Sequence, residues 1–139
     1  MTTKQWLSRG RNIDKDIDVL LKTKRDARDR VLRITQNYDG DGAQASRDPH
    51  KFDHLIELEN MIDEKIDELN DIKNEITTVL MQIQNRSQRT VMISYYVRML
   101  TFEQIAVELD ISFRRVMYIR KAAIITITGI LKEMGVDVI

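Results

Sequence analysis

Arg114, Arg115, Tyr118, Arg120 and Lys121 fall within one run of eight residues, inside the segment ISFRRVMYIRKAA. A guanidinium can make two parallel hydrogen bonds to a guanine edge or a phosphate, and an ammonium is a compact positive charge for a phosphate. This is chemistry for holding a polyanion rather than for breaking a bond. The sequence offers no glycine-rich phosphate loop, no nucleophile beside a histidine and no carboxylate pair in an apolar setting, so neither an enzyme nor a cofactor is expected. His50 and His54 stand four apart with Asp53 and Glu57 beside them, but two histidines without a third strong ligand fall short of a metal site. DGDG at 39–42 has the start of a calcium loop without its later acidic ligands, which makes it a turn-rich linker.

The basic run needs elements to present it, and the flanking residues specify two short helices. Thr101 followed by Gln104 three residues later is a capping box that starts a helix at Phe102. That helix carries Phe102, Ile105, Ala106 and Leu109, and it stops near Asp110 because the apolar pattern resumes out of phase at Ile111. Ser112 is a good N-cap for a second helix, in which Val116, Ile119 and Ala123 recur at helical spacing. The small Ala106 permits the close approach of two steeply crossing helices, while Ile105, Leu109, Ile111, Val116 and Ile119 fill the wedge. This is a helix-turn-helix pattern, whose second helix enters the major groove by its N-terminal part. Phe113, Arg114, Met117 and Tyr118 would then face base edges, with Arg114 the first choice for specificity. Arg86, Arg89, Ser112, Arg115, Arg120 and Lys121 would hold phosphates. A small structural bundle could share the spacing; the basic and aromatic outer face is what favours double-stranded DNA.

QRTVMISYYVRMLTFEQIAVELDISFRRVMYIRKAA resembles region 4 of bacterial sigma factors. Val91, Met92 and Tyr96 match the preceding helix of that region, LTFEQIA its first motif helix and ISFRRVMYIRKAA its recognition helix. Sigma factors carry glycine where this chain has Met99 and Asp110, and often place longer polar readers where it has Phe113, Met117 and Tyr118, so their promoter sequence does not carry over. The whole chain up to about Leu131 is similar to small phage and prophage regulators of the ArpU/RinA type, which act on late genes in Gram-positive hosts. The resemblance implies sequence-specific transcription control in the bacterial cytoplasm, with host RNA polymerase as a further partner.

Outside this segment the sequence reads as all-α. A seam in three- and four-residue steps runs from Trp6 through Gly10, Ile13, Ile17, Leu20, Lys24, Ala27 and Val31 to Ile34, and a second runs from Leu55 to Ile83. The two predict a long antiparallel helical hairpin, coiled-coil-like, over 1–85, with a flexible loop near 36–51 where two glycines and Pro49 interrupt. Charge suits that pairing: residues 1–35 hold ten basic and five acidic side chains and residues 36–85 hold four and twelve. Residues 86–139 hold eight basic and five acidic side chains, and are expected to form a self-contained DNA-binding domain with an apolar C-terminal helix.

The isoleucine-rich Ile124 to Leu131 stretch must be covered, either by its own domain or by the same stretch of a second copy, and a homodimer is expected through it or through the hairpin. Across the whole chain 22 basic and 22 acidic side chains cancel and cysteine is absent, which suits a reducing compartment and excludes disulfides and thiolate metal sites. The charged N-terminus is unlike a signal peptide and no apolar run approaches membrane-spanning length. A small terminase subunit recognising packaging-site DNA, or a coiled-coil adaptor for RNA polymerase or a host protein, would share several of these features.

Overall fold

The computed structural model of the chain describes residues 1–37 and 50–139. These form an all-helical fold of α1 (Thr3–Ser8), α2 (Ile13–Asn37), α3 (Lys51–Met81), α4 (Arg86–Tyr96), α5 (Phe102–Leu109) and α6 (Phe113–Glu133). Most of the loop expected over 36–51, with its DGDG stretch, lies outside the described residues. Among those described, no helix is long and apolar enough to cross a membrane.

Two compact units result, one made of residues 1–13 and 70–139, the other of residues 14–69. The division therefore differs from the one expected at residue 85, and the core explains why. Trp6 and Leu7 from α1, with Ile76, Val79 and Leu80 from α3 and Ile83 just after it, are buried in the same cluster as Val91, Met92, Tyr96, Ile105, Val116, Ile127 and Leu131. The apolar seam through 1–85 is real, but its two ends belong to the core of the C-terminal helices.

The seam also conceals a break. Helix α1 ends at Ser8 and α2 begins at Ile13, with Asn12 between them at φ 67. Asparagine tolerates this left-handed backbone better than most residues. Gly10 is buried against Ile76, so close that a Cβ there would stand 2.7 Å from Ile76 Cδ1. Trp6 and Ile13 keep the seven-residue rhythm on opposite sides of a turn, so periodicity alone reads straight through it.

The Ile124 to Leu131 stretch is covered largely within its own unit. Ile127 and Leu131 are completely buried and Ala123 with them. Thr128 and Thr3 join α6 to α1 by a hydroxyl–hydroxyl hydrogen bond, and the Thr126 hydroxyl donates to Gln88 Oε1 of α4 at 2.8 Å. Beyond Glu133 the chain folds back and Ile139 N donates to the Met1 carbonyl at 3.1 Å. Of the large apolar side chains on α6 after Tyr118, Ile125 is the exposed one.

In the second unit α2 and α3 are antiparallel. Lys24 Nζ meets Asp63 Oδ1 at 2.8 Å and Arg28 meets Glu59 through two nitrogens at 2.7 and 3.3 Å. As the α2 number rises by four the α3 number falls by four, which fixes the direction. Leu55 and Ile62 are its buried large apolar side chains.

Candidate nucleic-acid interface

The connection that orients the basic helix is built from four local devices. The Thr101–Gln104 capping box is formed in both directions, Thr101 N to Gln104 Oε1 at 2.9 Å and Gln104 N to Thr101 Oγ1 at 3.1 Å. Asp110 closes α5 in the left-handed region at φ 54, ψ 47, and Ile111 N reaches back to the Ala106 carbonyl at 3.0 Å. Ser112 then caps α6, its hydroxyl accepting from Arg115 N at 3.0 Å. Before α5, Met99 takes φ 64 and Leu100 N donates to the Ser94 carbonyl at 3.0 Å, closing α4. The left-handed turn expected of a glycine is thus kept by methionine, at a cost of about 1–2 kcal/mol.

Ala106 lies buried between α5 and α6, as Ile105, Val116 and Ile119 are, and Leu109 and Ile111 pack on the same cluster. Arg98 ties the end of α4 to α5 by a two-pronged bond to Glu108, at 2.7 and 3.2 Å. That hydrogen bond, more than the charge alone, holds the Glu108 carboxyl below its ordinary range. A column of planar groups adds to the clamp: Arg11 lies 4.0 Å from the Tyr95 ring, Tyr95 stacks on Phe102 with 4.0 Å between centroids, and Arg120 lies 5.2 Å from the Phe102 ring. Guanidinium groups on both outer faces of an aromatic pair suit the negative ring faces.

These devices hold the inner side of α6 and leave its first two turns outward. Phe113 is 46 % exposed and Tyr118 67 %. Arg114 is exposed, whereas Met117 is half-buried. Arg115 is exposed and lies 5.7 Å from the Tyr118 ring. It lines a groove with Arg86, Ser87 and Thr90 over a floor that includes Leu109 and Ile111. On another side of the helix Lys121 lines a second groove with Lys4, Met117, Arg120 and Ile124.

The residues assigned to phosphates therefore separate. Arg86, Arg115 and Lys121 are exposed cations. Arg89 is half-buried and donates from Nη1 to the Ile83 carbonyl at 2.9 Å, so it closes the turn after α3. Arg120 is half-buried against Phe102, and its Nε has no hydrogen-bond partner among the described residues. Its charge also acts on Tyr96, whose phenol burial pushes up and Arg120 pulls part of the way back. Ser112 Oγ is engaged as the helix cap. Spacing places a cation on a helix face but does not reveal which aromatic from another element will stack on it.

Lys4, Ser87 and Thr90 join these grooves without having been expected there. Ser87 and Thr90 stand one helical turn or less from Arg86, a signal the sequence did contain. Lys4 gave none, because its helix reads as part of the hairpin. His50, just before α3, and His54 within it contact residues of that helix, at 3.2 Å to Asp53 and 3.9 Å to Glu57, and among the described residues no three metal-binding side chains converge. No protein-family model, curated protein or solved structure matches the chain.

Proposed function

We propose that the chain binds double-stranded DNA by placing the first turns of α6 in the major groove. The observation that carries this reading is the side-chain row Phe113, Arg114 and Tyr118, exposed on a helix start whose opposite side is locked into the core, with exposed cations to either side. In the major groove, Arg114 would make two hydrogen bonds to a guanine O6 and N7, and Phe113 or Tyr118 would meet a thymine methyl or a ring edge. Arg86, Arg115 and Lys121 flank the row and hold phosphates, which fixes register without reading sequence. Transcription control of phage late genes is the biological role that the resemblance to ArpU/RinA-type regulators favours, with the sigma-region-4-like segment as its DNA-binding part.

The test is fluorescence anisotropy on duplexes selected from random DNA, repeated over a salt series. Each phosphate contact contributes roughly 0.9 to the slope of log affinity against log salt. Replacing Arg86, Arg115 and Lys121 together by alanine should therefore flatten the slope by about 2.7. A slope unchanged by the triple variant, or no enriched duplex at all, refutes the reading.

A further inference from the structure

We infer that the α2–α3 hairpin is a self-association surface whose occupant is a second copy of this chain. Three observations in residues 14–69 lead there. The first is an unfinished core: beside the buried Leu55 and Ile62, the seam residues Ile17, Leu20, Ala27, Val31, Ile66 and Leu69 are only half-buried. Two helices can cover each other along one line only, and a seam this wide is completed by further helices.

The second observation is that the two edges of the hairpin differ. One edge is closed by the Lys24–Asp63 and Arg28–Glu59 pairs. The other is an open, mainly apolar groove in two adjoining stretches that share Leu20 and Lys65, lined by Val19, Leu58, Met61 and Leu69. Val19 is 60 % exposed and Met61 66 %, more than Leu21, Leu32, Phe52 and Ile56, large apolar side chains exposed elsewhere on the hairpin. Such a patch rimmed by polar residues marks an interaction site.

Charge identifies the occupant. Beyond the Lys24–Asp63 and Arg28–Glu59 pairs, residues 22–33 of α2 hold four basic and two acidic side chains, while residues 52–69 of α3 hold one basic and five acidic. A basic partner would suit α3 and repel α2, and an acidic partner the reverse. A second copy carries both signs in the same layout. A two-fold axis along the bundle sets α2 of each copy antiparallel on α3 of the other, so the favourable match occurs twice and a four-helix bundle closes. The C-terminal stretch has less to offer, since Ile127 and Leu131 are already covered.

The absence of cysteine from the chain makes the test direct. Light scattering without DNA should give twice the 16.3 kDa chain mass. Met61→Cys treated with a bismaleimide long enough to span a four-helix bundle should yield a covalent dimer, whereas Ile125→Cys, equally exposed on α6, should not. Met61→Glu should weaken association at least tenfold while the emission of Trp6, buried in the other unit, stays that of the folded chain. A monomeric wild-type chain overturns the inference, as does cross-linking through Ile125→Cys instead of Met61→Cys, or a Met61→Glu dimer of unchanged strength. A stable complex with a different protein and no self-association overturns it too. Because no DNA is present, these results are separate from the fate of the DNA-binding reading.

Discussion

Replacing Gly10 by alanine should destabilise the protein, and the size of the loss should depend on one methyl group of Ile76. The new Cβ would stand 2.7 Å from Ile76 Cδ1 but 3.7 Å from its Cγ2 and 3.5 Å from the Leu7 carbonyl. Only the first of these is closer than van der Waals contact. Ile76 is fully buried, so its Cδ1 cannot swing into solvent, and inserting a methyl into such a site costs about 1–3 kcal/mol. Against this, alanine restricts the unfolded chain and returns about 0.4–1 kcal/mol where the backbone is compatible. A net loss near 1 kcal/mol is expected. Ile76→Val deletes Cδ1 and alone should cost about 0.5–1.5 kcal/mol. In that background Gly10→Ala meets no clash and should be neutral or slightly stabilising, so the two changes should couple by about 1–2 kcal/mol. The assay is urea unfolding followed by fluorescence of Trp6, the one tryptophan of the chain, which is 3 % exposed in the same core. An equal cost of Gly10→Ala in both backgrounds would refute the packing of the N-terminal segment on α3.

Three further outcomes follow from the same geometry. The fragment 86–139 should lose most of its helix in circular dichroism, since it lacks Trp6, Leu7, Ile76, Leu80 and Ile83, and a cooperatively folded fragment would restore the boundary at 85. Arg120→Ala should lower stability by about 1–2 kcal/mol through the lost stacking on Phe102, while leaving the salt slope of DNA binding within about 0.3 of wild type. Glu108→Gln should reveal a pH-dependent contribution: the Glu108 pKa is depressed in the folded state, so its stabilisation is present above the ordinary glutamate value and is lost as pH falls through the depressed one. The stability difference between wild type and Glu108→Gln should therefore shrink from pH 7 to strongly acid solution, and a difference that grows would exclude the Arg98 pair as its source.

The devices that act over a few residues were legible in the sequence. Thr101 with Gln104, Ser112 and the Ala106 wedge all announce themselves by type and spacing, and each forms as its pattern dictates. What escaped was information carried by distant packing. Periodicity measures phase, and the turn at Gly10 to Asn12 preserves phase, so one seam concealed two helices and two destinations. Arg120 and Lys121 are adjacent in sequence and chemically alike at that level, but a Phe102 ring from α5 half-covers one of them and leaves the other exposed. The same reasoning explains the C-terminal helix: isoleucine-rich residues declare that they will be covered, and only the third dimension says that the cover comes from their own unit, with Thr128 bonded to α1 and Thr126 to α4.

The most direct measurement is affinity on two duplexes, one enriched from random DNA by the intact chain and one of scrambled sequence, for wild type, Arg114→Ala and Lys121→Ala. If α6 reads base edges, Arg114→Ala loses about 1–3 kcal/mol on the enriched duplex and little on the scrambled one. Lys121→Ala should lose alike on both and reduce the salt slope by about 0.9. Equal losses on both duplexes for Arg114→Ala, or a wild-type chain that prefers neither, would contradict the account.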